Sequence, residues 1–98
     1  MAEKYFWLYI MASERNGTLY IGTTNNLAQR VNQHKDGTGA AFVEKYDVKR
    51  LVYFEPHEGY EAAREREIRL KKWRRTWKIA LIEERNPDWH DLSDNLSA

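Results

Sequence analysis

The strongest constraint on this chain is the segment Ser13–Gly17, which ends in Asn-Gly and separates two runs of apolar and aromatic residues. Asn-Gly between such runs is typical of a β-hairpin, because both residues accept the positive φ angles of a tight turn. We predict one strand over about Tyr5–Ala12 and a second over Thr18–Gly22. A hairpin of this kind places Tyr9 and Tyr20 on neighbouring strands, where the two phenol rings can share one face.

The rest of the chain predicts a third strand and three helices. Threonines and asparagines at positions 23–26 are suited to cap a helix, and glycines at 37 and 39 are suited to end it. A run of β-branched and aromatic residues then favours a strand, and apolar residues at helical spacing follow it. The predicted elements are a helix over Leu27–Asp36, a short helical turn over Ala40–Lys45, a strand over Val48–Phe54, a helix over Tyr60–Trp73 and a helical stretch over Trp77–Arg85.

The order β-β-α-β-α-α predicts an α+β fold, with a three-stranded, largely antiparallel sheet and helices packed on it. Three strands covered by helices are stable where a lone hairpin is not. A length of 98 residues fits one domain with a modest core. We expect this domain to cover residues 1–90 and residues 91–98 to form a polar tail.

The composition narrows the cellular setting. The chain has no cysteine, so it forms no disulfide and no thiolate metal site, which suits a reducing cytoplasm. The first apolar run is interrupted at Ser13 and Glu14, so it is neither a secretory signal nor a membrane span. We therefore expect a cytoplasmic protein without a membrane partner.

Positive charge is concentrated in one part of the chain. The formal net charge is only +1, yet eight of the sixteen basic residues lie within positions 64–78, and acidic residues dominate after position 79. Basic residues and tryptophans alternate there, and Trp73 and Trp77 either stack on bases or pack inward at helical spacing. This distribution predicts a nucleic-acid surface. The residues expected to bind phosphates are Lys71, Lys72, Arg74 and Arg75.

Two tyrosine motifs and an arginine stand at regular distances. Tyr20-Ile21-Gly22 follows Tyr9 by eleven residues and precedes Arg30 by ten, while the first tripeptide reads Trp7-Leu8-Tyr9 and keeps its tyrosine. With the acidic helix downstream, these motifs resemble the GIY-YIG nuclease family over roughly Tyr5–Ala80. That family includes homing endonucleases, the N-terminal nuclease domain of the bacterial excision-repair endonuclease and many small stand-alone proteins.

The resemblance implies the same β-β-α-β-α-α fold and a nuclease that hydrolyses DNA phosphodiester bonds with Mg²⁺ or Mn²⁺, in DNA repair or recombination. Gly22 is then a structural motif residue, and Arg30 can fork onto two phosphate oxygens. A tyrosine is the general base in such a site. A free phenol has a pKa of about 10, so a nearby cation must lower the pKa of that tyrosine. The sequence does not select between Tyr9 and Tyr20.

The resemblance also implies one glutamate on a later helix as the metal ligand. The segment Glu61–Glu65 resembles the family's Ala-x-x-Glu element, which selects Glu65. Glu67 is the competitor, about 200° further round the helix, so both cannot serve one site. The alternative for Glu65 is a surface ion pair with Arg69.

Two further family positions have candidates here. The region after the first helix carries no histidine, and His34, one turn after Arg30, is the predicted catalytic substitute, with Lys45 and Tyr46 as alternatives. The alternative for His34 is a partner of the dipole at its helix end, which is the commoner role of a lone histidine there. Asn86 is the candidate for a late family asparagine, or else a helix terminator.

Three functions fit this sequence. The first is a metal-dependent DNA nuclease, and the second is a non-catalytic or weakly catalytic nucleic-acid-binding module on the same fold. The third is a protein-interaction domain that uses the acidic C-terminal part. Because the chain is short, a nuclease of this kind would take a protein partner for targeting.

Overall fold

The computed structural model describes residues 5–37 and 46–96. It confirms the α+β class and the order β-β-α-β-α-α. Among the described residues, no helix has the length and apolar character needed to cross a membrane. The predicted turn over 40–45 lies outside the described residues. The elements are β1 (Tyr5–Ala12), β2 (Leu19–Thr24), α1 (Leu27–Asp36), β3 (Arg50–Glu58), α2 (Tyr60–Lys72), α3 (Arg75–Arg85) and a 3-10 turn (Leu92–Asn95).

The hairpin turn forms where Asn-Gly predicts it. The Ser13 amide donates to the Thr18 carbonyl at 3.0 Å, and the Gly17 amide donates to the Glu14 carbonyl at 2.9 Å. Asn16 has a φ of 59°. A Cβ on Gly17 would lie 2.3 Å from the Ser13 hydroxyl oxygen, so the turn requires glycine for space.

The sheet has the strand order β2-β1-β3, with the central strand β1 antiparallel to both neighbours. Leu8 and Ile10 face one side of the sheet and are fully buried, while Tyr9 and Met11 face the other side and are also fully buried. The strand β3 continues past the predicted break and includes Pro56. An edge strand accepts proline, because the missing amide donor removes no bond from a central ladder.

Each face of the sheet is covered by different helices. Leu27 and Val31 of α1 pack with Tyr9 and Met11 on one face. On the opposite face, α2 and α3 pack over the side that carries Leu8 and Ile10, and their buried contributors are Leu70 and Ile82. The edge strand β2 therefore lies between α1 on one side and α2 on the other.

An ion network fastens α2 to β3. Arg66 donates to Glu55 at 3.0 and 3.3 Å, and Tyr53 and His57 each bond to the same carboxylate at 2.5 Å. Burial raises the pKa of Glu55, but the hydrogen bonds from these three side chains outweigh it and hold the pKa below its ordinary value. Burial and the Glu55 carboxylate raise the pKa of Tyr53 to about 12. The network fixes which face of α2 meets the sheet.

The segment expected as a polar tail packs on the domain as far as Leu96. Asp91 accepts a hydrogen bond from Lys35 of α1 at 2.6 Å and one from the Leu51 amide at 3.3 Å. Leu92 and Leu96 pack against the α1 side of the core. The two leucines, four positions apart in a polar segment, are the apolar signal that the tail interpretation overlooked.

Candidate active site

Tyr9, Tyr20 and His34 form an aromatic cluster between the hairpin and α1. The ring centroids are 6.3 Å apart for the two tyrosines, 5.6 Å for Tyr9 and His34, and 5.3 Å for Tyr20 and His34. Met11 is paired with Tyr20 in the ladder, so the two tyrosines are diagonal neighbours on one face. Tyr9 on the central strand is fully buried, whereas Tyr20 on the edge strand is half-buried.

Gly22 makes room for the Tyr9 ring. The two residues are directly opposite each other in the ladder. A Cβ built on Gly22 would lie 2.6 Å from the Tyr9 hydroxyl oxygen and 2.8 Å from its Cζ. The phenol therefore lies across the backbone of β2, and this close approach is the physical requirement for glycine in the second tripeptide.

His34 and Tyr9 are joined by a buried hydrogen bond. His34 Nε2 lies 3.0 Å from the Tyr9 hydroxyl, and His34 Nδ1 is buried without a hydrogen-bond partner. Burial, followed by the charge of Arg30, lowers the pKa of His34. Burial also raises the pKa of Tyr9 well above its ordinary value, reinforced by Tyr20 and opposed by Arg30. Both groups are therefore neutral at physiological pH, and Tyr9 is poorly suited to accept or release protons.

Arg30 supplies the positive charge at this cluster. The helix α1 begins at an Asn26 cap, whose side-chain oxygen accepts from the Gln29 amide at 3.1 Å. That start places Arg30 and His34 one turn apart on the same face. The Arg30 guanidinium acts electrostatically on both Tyr9 and His34, as its effects on their pKa values show.

The carboxylate that faces the hairpin is Glu67. Its Oε1 accepts from the Thr23 hydroxyl at 2.6 Å, and its Oε2 accepts from Arg64 at 2.8 Å and from Lys71 at 2.6 Å. Burial raises the pKa of Glu67, but hydrogen bonds from Lys71 and Thr23 and the nearby positive charges outweigh it and lower the pKa. Glu67 is therefore ionised, and its charge is felt by Tyr9.

Glu65 lies on a different side of α2. Its side chain is 71% exposed and pairs with Arg69 at 3.9 Å, which is the surface ion pair considered as the alternative from sequence. The buried face of α2 carries Ala63, Glu67 and Leu70 at helical spacing. The structure thus bonds Glu67 to the hairpin at Thr23 and leaves Glu65 on the surface. The helical spacing of Ala63, Glu67 and Leu70 is present in the sequence, but only the packed fold shows that this face of α2 is the buried one.

A groove of about 320 Å³ runs along the edge strand beside Tyr20. The edge-strand residues Leu19 and Ile21 contribute to its lining, and Lys71 and Lys78 supply positive charge. Lys78 was not among the predicted phosphate-binding residues. An apolar groove with two lysines beside a tyrosine suits a polyanion with flat bases.

The predicted basic residues have different surroundings. Arg75 donates to the Asn16 and Gly17 carbonyl oxygens at 2.6 Å each, so it braces the hairpin turn. Arg74 lies over the Trp77 ring at 5.5 Å, and Lys72 is exposed. Lys71 is bound to Glu67 and lines the groove.

The two tryptophans have separate roles in packing. Trp73 packs against the core and meets Trp77 edge to face, with ring centroids 6.2 Å apart. Trp77 is 52% exposed. Inward packing therefore describes Trp73, whereas the exposed Trp77 ring is partly covered by Arg74 and Trp73.

Comparison with known proteins identifies the family of this chain. A family described as the GIY-YIG catalytic domain matches residues 5–80. This chain belongs to the GIY-YIG family. Relatives include a UPF0213 protein of Clostridium perfringens, 38% identical over 78% of this chain and 81% of that one. A UPF0213 protein of Staphylococcus haemolyticus is 35% identical over 87% of this chain and all of that one.

The fold is shared with a solved member of the same group. The solution NMR structure of a UPF0213 protein from Bacillus halodurans superposes with a TM-score of 0.55 at 22% identity. The match covers 96% of this chain and 99% of that one. The β-β-α-β-α-α arrangement is therefore the arrangement of a UPF0213-type GIY-YIG domain.

Asn86, the candidate for the late GIY-YIG asparagine, is bound to β3 and to the C-terminal segment. The Asn86 side chain is buried, donates to the Val52 and His90 carbonyls at 3.1 and 2.9 Å, and accepts from the His90 amide at 3.0 Å. These bonds fasten the C-terminal segment to β3 and engage both amide hydrogens and the amide oxygen. Tyr46 is exposed, and Lys45 lies outside the described residues.

Nucleases of the GIY-YIG family bind DNA and generally use divalent metal ions. Within residues 5–37 and 46–96, no cluster of three or more histidine, aspartate or glutamate side chains could hold a metal. A hard cation that keeps several waters needs one or two carboxylates, and Glu67 offers one ionised carboxylate. Glu67 therefore fits a metal provided that Oε2 exchanges a cationic partner for it.

Proposed function

We propose that this protein is a divalent-metal-dependent nuclease that hydrolyses DNA phosphodiester bonds beside β2. The observation that carries the proposal is the meeting of three functions at the Tyr9 ring. The Tyr20 ring packs beside the Tyr9 ring, with centroids 6.3 Å apart. The charge of Arg30 lowers the pKa of Tyr9, and the charge of Glu67 raises it. A proton acceptor, a phosphate-binding cation and a metal-binding carboxylate are what phosphodiester hydrolysis requires.

Tyr20 is the proposed general base. It is half-buried on the edge strand, so water reaches part of its side chain, whereas Tyr9 is fully buried with a raised pKa. His34 and Tyr9 act as positioning residues in this scheme, since their hydrogen bond fixes the rings against which Tyr20 packs. This assignment keeps His34 neutral and out of proton transfer.

Arg30 is proposed to stabilise the negative charge that builds on the phosphoryl oxygens. Its guanidinium is always charged and can bond two oxygens at once. Glu67 is the proposed metal ligand, in place of Glu65, because Glu67 is bound to Thr23 of the hairpin and Glu65 lies on the surface. Glu67 would hold the divalent ion, and the ion would supply Lewis-acid charge for the reaction.

The groove and its neighbouring cations form the proposed DNA surface, which consists of Lys71, Lys72, Arg74 and Lys78. Contacts of this kind neutralise phosphates and carry little sequence information. Targeting to a particular DNA would then come from a protein partner. DNA repair or recombination in the cytoplasm is the cellular role that fits this chemistry, and Mg²⁺ or Mn²⁺ is the expected ion.

The test is cleavage of labelled single-stranded, duplex and branched DNA with Mg²⁺ or Mn²⁺, with EDTA as the control. We expect cleavage that EDTA abolishes, that Glu67→Gln loses, and that the matched surface variant Glu65→Gln keeps. Loss of cleavage in the Glu65 variant together with full activity in the Glu67 variant would overturn the assignment.

The second candidate function is a nucleic-acid-binding module without strong catalysis. One observation favours it: the Glu67 carboxylate is already neutralised by Arg64 and Lys71. Salt-dependent DNA binding by the wild-type protein, with no cleavage of any of the three DNA forms in Mg²⁺ or Mn²⁺, would select this module over the nuclease.

A further inference from the structure

The Glu67 carboxylate forms ion pairs with two cations, Arg64 and Lys71, although one positive charge would neutralise it. Lys71 and Arg64 both bond to the same oxygen, Oε2, at 2.6 and 2.8 Å. The Glu67 side chain is 8% exposed, while the side chains of Lys71 and Arg64 are 53% and 46% exposed. The carboxylate is therefore fixed, and each cation reaches it on a long stem that water surrounds.

Lys71 also belongs to the groove beside Tyr20. It follows Glu67 by one helical turn, so its ammonium group bonds the carboxylate from the same face of α2. A lysine has a flexible stem and a point charge, which lets it change partners without moving the helix. A phosphate in the groove would therefore compete with Glu67 for the same ammonium group.

We propose that Lys71 is an exchangeable counter-ion of this site, which occupies Glu67 in the free protein and moves to a DNA phosphate when a divalent ion takes its place on Oε2. The inference rests on the proposed function, because it takes Glu67 as the metal-binding carboxylate. It adds a positioning role for a lysine that composition alone would count as a general DNA contact. The exchange also makes the binding of metal and DNA mutually favourable, since each ligand removes the obstacle to the other.

The first experiment measures Mn²⁺ affinity in the absence of DNA, by titration calorimetry or by the electron paramagnetic resonance of free Mn²⁺. Lys71→Met removes the competing charge but keeps the length of the stem, and we expect it to bind Mn²⁺ roughly tenfold tighter than wild type. Arg64→Met is a second variant with the same expected direction. Lys72→Met is the matched control, because this neighbouring exposed lysine is not among the partners of Glu67, and its Mn²⁺ affinity should equal that of wild type.

The second experiment measures the coupling between metal and DNA. A short duplex with phosphorothioate linkages should tighten Mn²⁺ binding to wild type and should do so much less in Lys71→Met. Equal Mn²⁺ affinities for wild type and Lys71→Met, with undiminished coupling in the variant, would overturn the exchange.

Glu67→Gln separates failure of this inference from failure of the proposed function. If Glu67→Gln binds Mn²⁺ as well as wild type does, Glu67 is not the ligand, and both proposals are wrong. If Glu67→Gln loses Mn²⁺ while Lys71→Met matches wild type, the metal site stands and the exchange alone is wrong. Mn²⁺ binding detected in Lys71→Met and absent from wild type would support the exchange most strongly.

Discussion

Substituting Gly22 by alanine should destabilise the domain through one steric contact. The new Cβ would lie 2.6 Å from the Tyr9 hydroxyl oxygen and 2.8 Å from Cζ, distances at which an atom must move. The Tyr9 ring is fully buried and bonded to His34, so it cannot swing into solvent. Overpacking in a closed core costs about 1–3 kcal/mol. Near the middle of that range, the melting temperature of a domain of this size should fall by about 8–16 °C.

Circular dichroism melts of a double-mutant cycle isolate this contact. Tyr9→Phe deletes the nearest oxygen, so Gly22→Ala should cost less in the Tyr9→Phe background than in wild type. The remaining overlap with Cζ keeps the recovery partial. A Gly22→Ala melt within about 2 °C of wild type would refute the reasoning, since a real overlap of this kind exceeds that shift.

The remaining predictions concern catalysis, binding and acid sensitivity. Tyr20→Phe should stay folded and lose most cleavage, whereas Tyr9→Phe should keep more, as single-turnover rates will show; the opposite ranking would make Tyr9 the base. Arg30→Ala should slow cleavage by about 3 kcal/mol, roughly a hundredfold, with a smaller loss of DNA affinity, and equal losses would make Arg30 a docking residue. Arg75→Gln should lower the melting temperature and barely change the salt dependence of binding, because its guanidinium holds the hairpin turn. The pKa of Glu67 is below its ordinary value of 4.5, so ionised Glu67 stabilises the fold above that pH and the contribution is lost as pH falls through the lowered pKa. Glu67→Gln should therefore flatten the acid side of the stability profile, and an unchanged profile would contradict it.

The local parts of the fold could be predicted from sequence because the signals lie within a few residues. Asn16 supplies the positive φ of the hairpin turn through its own backbone preference, and Asn26 begins α1 through its own side chain. Such effects do not depend on the rest of the chain. The register of Tyr9 against Gly22 then follows from the turn, which is why the two motif tyrosines could be placed on one face.

The site carboxylate could not be chosen with local signals. Glu65 and Glu67 have similar neighbours in sequence, and the face of α2 that meets the sheet decides between them. That face is set by contacts across the fold, namely Ala63 and Leu70 in the core and Arg66 on Glu55 of β3. The basic tract could not be divided from sequence either. Charge alone does not show that Lys71 bonds to Glu67 or that Arg75 bonds to the hairpin turn within the same fold.

The departure of the first motif from the family pattern falls on positions that pack rather than react. Leu8 is fully buried on the α2 side of the sheet, and Trp7 lies on the α1 side with its ring 5.9 Å from Phe54. Neither residue lies between Tyr9 and the edge strand, so Tyr9 keeps its place over Gly22. The environments of the two tyrosines then differ because β1 is central and β2 is an edge strand. A central-strand phenol loses contact with water and holds its proton, and an edge-strand phenol keeps that contact. We therefore expect the chemistry to depend on Tyr20, whose tripeptide is intact.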